Sequence, residues 1–139
     1  MSKHPGIFGL LTVIVASCGQ GYVERTQQFA AQVKRVVNAD ELQTWATNLI
    51  AKTPNGNRDA GMNPEAAGIP KGFLGFYEDQ PTPDVWVSDA DAGAYVVICY
   101  GSGFGHWGLY VGDKSFKQES TQQFYVVPWQ AGIYFFDGP

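Results

Sequence analysis

Three side chains in the middle of this chain, Cys99, Ser102 and His106, are of types that do nucleophilic chemistry. A thiol or hydroxyl beside an imidazole is the minimal nucleophile–base pair, because the imidazole takes the proton that keeps the nucleophile weak. Cys99 and His106 fall on either side of a glycine-rich turn, so hairpin register decides whether they meet. With Gly101 opposite His106 they face one side of a sheet; with Tyr100 opposite His106 they face opposite sides. The plainer reading of a strand cysteine is a small buried hydrophobe, and that of a histidine beside Trp107 is a hydrogen-bonded structural residue. Ser102 lacks the G-x-S-x-G frame of a nucleophile elbow. The residues therefore favour a non-catalytic chain, with a small hydrolase or acyltransferase using His106 with Cys99 or Ser102 as the alternative.

The turn itself, Gly101 to Gly108, contains G-x-G-x-x-G at Gly103, Gly105 and Gly108. That fingerprint holds a dinucleotide only when a helix N-terminus follows. Here Leu109-Tyr110-Val111 follows, which is strand sequence, so dinucleotide binding is excluded. A glycine-rich hairpin loop remains, one whose backbone N–H groups can contact a ligand. Gly103, Phe104, His106 and Trp107 are the binding candidates, with Trp129 as a further aromatic contact. The run His106-Trp107-Gly108-Leu109-Tyr110-Val111-Gly112 resembles the histidine strand of lecithin:retinol acyltransferase-like thiol enzymes and their relatives. The resemblance implies a role for His106 in polarising a cysteine on a helix N-terminus. In this chain the nearby thiol, Cys99, precedes the histidine and lies in a strand run.

No metal and no cofactor is expected. The other histidine, His4, lies in the N-terminal segment. Asp89-Ala90-Asp91-Ala92-Gly93 begins like a calcium loop, but its twelfth position is Tyr100 instead of the closing Glu. It reads as an Asp/Gly turn. Glu78, Asp79 and Asp84 fall in a loop and form no pair that can be placed for glycoside chemistry.

The elements that position these residues can be read from periodicity. Phe29, Ala30, Val33, Val36 and Val37 form one helical stripe, and Leu42, Trp45, Ala46, Leu49 and Ile50 form another. Asn38 is the expected N-cap of the second helix, with Glu41 three residues on. This predicts helices near 22–37 and 39–52. A punctuated loop follows over 53–70, with one short helical turn at Asn63 or Pro64. Strands are expected at 85–87, 94–100, 107–111, 124–127 and 133–136, too closely spaced for crossover helices. The fold class is therefore α+β, with two N-terminal helices packed on one face of a roughly five-stranded antiparallel meander. Sixteen of the twenty aromatic residues lie after residue 70, more than two short helices can cover. The outer sheet face is then either a contact surface for a partner, glycan or membrane, or a layer of cross-strand aromatic pairs.

Composition bounds the rest. A chain of 139 residues, 45% hydrophobic and 16% charged, suits one domain with one core. The net charge of −4 argues against a nucleic-acid partner. Two cysteines build neither a disulfide scaffold nor a four-thiolate zinc site. At the N-terminus, Lys3 precedes an uncharged run of eleven residues, Gly6 to Ala16, the length of a signal-peptide core and too short to span a bilayer. Val15-Ala16-Ser17-Cys18 resembles the lipobox of bacterial lipoproteins. The resemblance implies cleavage before Cys18 and lipidation of its thiol, which gives a signal segment over 1–17, a short linker over 18–21 and one domain over 22–139. The protein is then expected in the bacterial cell envelope, membrane-anchored and facing the periplasm or exterior. Its expected role is to bind an envelope protein or glycan through the aromatic sheet and the glycine-rich loop. A further alternative is an accessory subunit of a membrane complex that retains its N-terminus.

Overall fold

The computed structural model describes residues 6–91, 93–103 and 105–139, with residues 6–20 described by their backbone alone. Helix α1 spans Gly6–Val36 and helix α2 spans Ala39–Lys52. The backbone of α1 runs without a break through residues 18–21, expected to be a linker. Met1–Pro5, the Cys18 side chain and Phe104 lie outside the described residues. No helix among the described residues is long and apolar enough to cross a membrane.

Each helix forms where its stripe predicts. On α1 the buried positions are Thr26, Phe29 and Val33, followed by Val37 just past the helix end. Val36, assigned to the stripe from its spacing, is 55% exposed. The buried line advances in steps of three and four from Thr26 to Val37, which leaves Val36 on its flank. Asn38 caps α2, its Oδ1 accepting the Glu41 N–H at 3.0 Å. Asp40 and Glu41 place negative charge at the positive end of that helix.

The sheet has five antiparallel strands, β1 Asp84–Ala90, β2 Gly93–Tyr100, β3 His106–Val111, β4 Tyr125–Gln130 and β5 Ile133–Gly138. Their order is β1-β2-β3-β5-β4, so the meander expected from the sequence holds only through β3. The connection over 112–124 carries the chain past the position β5 will fill. A two-residue turn at Ala131-Gly132 then returns β5 between β3 and β4. Gln43 of α2 holds this corner, its buried amide nitrogen donating to the carbonyls of Gly112 and Ala131 at 2.9 Å each.

Both sheet edges are closed to further pairing. On β1, the loop after α2 supplies Asp59 N–H to Val87 O and Met62 N–H to Val85 O, at 2.7 and 2.9 Å. On β4, the Ser120 hydroxyl takes the Val126 N–H and donates to the Val126 carbonyl. Pro128 on the same strand has no N–H to offer.

Register sorts the side chains onto two faces. Val85, Val87, Val96, Ile98, Leu109, Val111, Ile133 and Phe135 face the helices and pack with Phe29, Val33, Leu42 and Ala46 into the main core. On the other face, Val97, Cys99 and Phe136 are buried without any helix above them. Trp86, Tyr95, Tyr110, Phe124 and Val126 lie over them. Tyr110 stacks on Phe136 at 4.3 Å, and Tyr95 stacks at 4.7 Å on Phe116 of the 112–124 connection. The aromatic residues are thus divided: Phe73, Phe76, Tyr77, Tyr100 and Trp107 join the helix-side core, Trp129 flanks Phe135, and Trp86, Tyr95, Tyr110 and Phe124 cover the outer face. Among the described residues, the large hydrophobic side chains left exposed are Tyr22 and Val36, both on α1.

Candidate functional site

The register settles the geometry of the nucleophile candidates. Tyr100 is opposite Trp107 and Cys99 is opposite Gly108, so Cys99 and His106 share the outer face but stand diagonal to one another, a spacing of ~7–8 Å between Cα atoms. The Cys99 thiol is not bonded to the imidazole. It lies 3.5 Å from the Tyr100 carbonyl and the residue is 5% exposed. Burial, with a smaller push from the Asp84 carboxylate, raises this thiol to about 11. It is therefore protonated at neutral pH and a poor nucleophile. Ser102 is exposed on the loop and hydrogen-bonds no base among the described residues. The Cys99–His106 and Ser102–His106 pairs of the enzyme alternative are not assembled.

The Asp89 turn is occupied structurally, because Asp89 pairs with Arg58 at 2.5 Å. Among the described residues no three His, Cys, Asp or Glu side chains are grouped to hold a metal ion.

Where the glycine-rich loop meets the helix layer, the structure forms a cleft of about 700 Å³, within the range of small-ligand sites. Its walls are Arg25 from α1, Tyr77, Asp79 and Gln80 from the segment before β1, Asp84, and Gly101, Ser102, Gly105 and Trp107 around the loop. At the root of the cleft, Arg25 bonds Asp137 of β5 with two nitrogens, Nε donating to Oδ2 at 2.5 Å and Nη2 to Oδ1. Asp137 is fully buried, while the Arg25 side chain is 43% exposed. The guanidinium also lies over the rings of Trp107 and Tyr22, 5.2 and 5.6 Å from their centres. The forked ion pair holds the Arg25 charge firmly, and its hydrogen bond with Asp137 raises Arg25 above its ordinary value.

Second, the loop is pinned to the cleft wall. Gly101 has φ +95°, and a Cβ there would fall 2.1 Å from the Gly105 carbonyl oxygen and 2.8 Å from the Trp107 ring. Only glycine lets the chain turn this tightly onto the indole. Its N–H donates to Gln80 Oε1 at 2.8 Å. Trp107 Nε1 donates to the Tyr77 hydroxyl at 2.9 Å. Burial raises the Tyr77 phenol, against the opposite pull of that indole N–H.

The chain matches no family model, no curated protein and no solved structure.

The binding candidates fall in different places. Trp107 lines this cleft, and Gly103 sits on its exposed loop with φ +68°. His106 opens β3 on the outer face, away from Trp107. Trp129 is elsewhere: it stacks on Phe135 at 5.4 Å beneath Lys34. Lys34 is nine residues from Arg25, about 13 Å along α1. The two tryptophans therefore do not share a site. Four of the groups that build the cleft, Arg25, Tyr77, Gln80 and Asp137, were not among the sequence candidates. For Asp137 a signal was present. Alternation from Ile133 and Phe135 places it on the helix-facing side, where a carboxylate requires a partner.

Proposed function

We propose that this chain is a small, non-catalytic binding domain of the bacterial cell envelope, held at a membrane by a lipidated Cys18, and that it takes its ligand in the cleft between Arg25 and the Gly101–Gly105 loop. The observation that carries the reading is the cleft itself. It is open to solvent, its wall is preorganised by the Arg25–Asp137 fork and the Gln80–Gly101 bond, and polar groups converge on it from three segments distant in sequence. The outer aromatic face supports binding less well, because its rings are turned onto one another. The protonated, buried thiol favours binding over catalysis.

The anchor rests on the sequence Val15-Ala16-Ser17-Cys18. Cys18 precedes Arg25 by seven residues on one helix, about 10 Å of rise. A lipidated Cys18 would present the cleft close to the headgroups and to whatever envelope component lies there.

Two measurements test the proposal. The intact mass of native protein extracted from membranes should equal residues 18–139 plus acyl chains; unmodified 1–139 removes the anchor. A fragment screen by ¹H–¹⁵N NMR should give hits whose shifts cluster on Arg25, Gln80, Ser102 and the Trp107 indole. Hits clustering instead around Tyr95 and Tyr110, or on Trp129, would remove the cleft from the reading.

A further inference from the structure

Within the binding reading just given, on which this inference rests, we propose that the cleft takes a sugar: a neutral or amino-bearing saccharide unit of one or two rings. The argument starts from which groups the fold has already used. Arg25 spends Nε and Nη2 on Asp137, leaving Nη1 without an acceptor among the described residues. Gln80 spends its carbonyl oxygen on Gly101, leaving its amide nitrogen. Tyr77 accepts from Trp107, leaving its own O–H to donate, and burial keeps that phenol protonated. Ser102 contributes a free hydroxyl at the rim. Against these donors stand two acceptors, the carboxylates of Asp79 and Asp84, neither held in an ion pair among the described residues.

Donors and acceptors thus line one opening together, beside Tyr77 and Trp107. A ligand that satisfies both kinds must present several groups that each donate and accept. Hydroxyl groups do so, and a sugar ring carries several of them on one compact frame. Charge narrows the class. The Arg25 cation is compensated by Asp137, so Asp79 and Asp84 leave the opening net negative. An acidic sugar meets repulsion there, while a neutral or amino sugar does not.

The test is an NMR titration of the ¹⁵N-labelled domain with glucosamine, N-acetylglucosamine, glucuronic acid and the zwitterion glycylglycine. Glucosamine or N-acetylglucosamine should shift the Trp107 indole, the Gln80 side chain and Ser102 saturably in the millimolar range usual for so small a ligand. Glucuronic acid should bind at least several-fold more weakly. Asp79→Asn and Ser102→Ala should each weaken binding several-fold, and Asp91→Asn, on an exposed turn remote from the cleft, should leave it unchanged. Saturable shifts at the cleft with glycylglycine alone would overturn the sugar while leaving a binding cleft intact. Equal binding of glucuronic acid, or no saturable shift with any sugar, would overturn the inference as well; in the fragment screen above, the absence of hits at the cleft would overturn the underlying reading.

Discussion

Phe135 and Phe136 are neighbours in β5 and are almost equally buried, yet they belong to differently built regions. Phe135 faces the helices and meets the Phe29 ring edge-on at 6.0 Å, with Trp129 stacked on its face. Phe136 faces outward and is covered by a single layer of rings, Tyr110 and Phe124. The helix-covered face is a two-layer core. The outer face protects itself, with help from the long connection between β3 and β4. The comparison teaches that an aromatic-rich sheet face need not await a partner. Rings that lie flat across the strands can bury one another and the small residues between them.

The comparison can be broken most directly at those two residues. Phe135→Ala should cost ~3–5 kcal/mol, as a cavity inside a two-layer core does. Phe136→Ala should cost roughly half as much, because the thinner cover relaxes or admits water. Equal losses in urea unfolding would make the outer face a core of the same kind.

Next in size is the cleft's ion pair, which ties α1 to the last strand. Arg25→Ala should cost about 3 kcal/mol, since it strands a fully buried Asp137. Arg25→Lys should recover only part of that, because an ammonium cannot fork onto both carboxylate oxygens. A cost below ~1 kcal/mol in the same unfolding assay would show that Asp137 reaches water once Arg25 is gone.

The outer face has a pH signature of its own. Its thiol sits at about 11 in the folded protein against 9.0 ordinarily. A raised value favours the protonated form in the fold, so the stability it contributes is full below pH 9 and is lost as pH rises toward 11. The loss should reach about 3 kcal/mol. In Cys99→Ala the decline should begin later, above pH 10.0, where tyrosine ionises in the unfolded chain while burial keeps Tyr100 and Tyr110 protonated in the fold. Iodoacetamide at pH 8 should leave Cys99 unlabelled in the native domain and label it once unfolded; rapid native labelling would restore the thiol-enzyme alternative.

The smallest expected effect is local. Asn38→Ala should cost about 1 kcal/mol by removing the acceptor for the Glu41 N–H. Thermal unfolding should show that loss without any change at the cleft.

What the sequence determined by itself is what depends on neighbours along the chain. The buried line from Phe29 to Val37, the Asn38 cap, the five strand runs and the strand after Gly105 that excludes dinucleotide binding all follow from spacings of a few residues. The tertiary structure alone decided which strands became neighbours and which polar groups met. Placing β5 between β3 and β4 depends on a connection long enough to permit either order. The cleft depends on Arg25 reaching Asp137, 112 residues away. No periodicity encodes such a pairing. It arises because a carboxylate carried inward by strand alternation must find a cation, and the fold brings Arg25 to it.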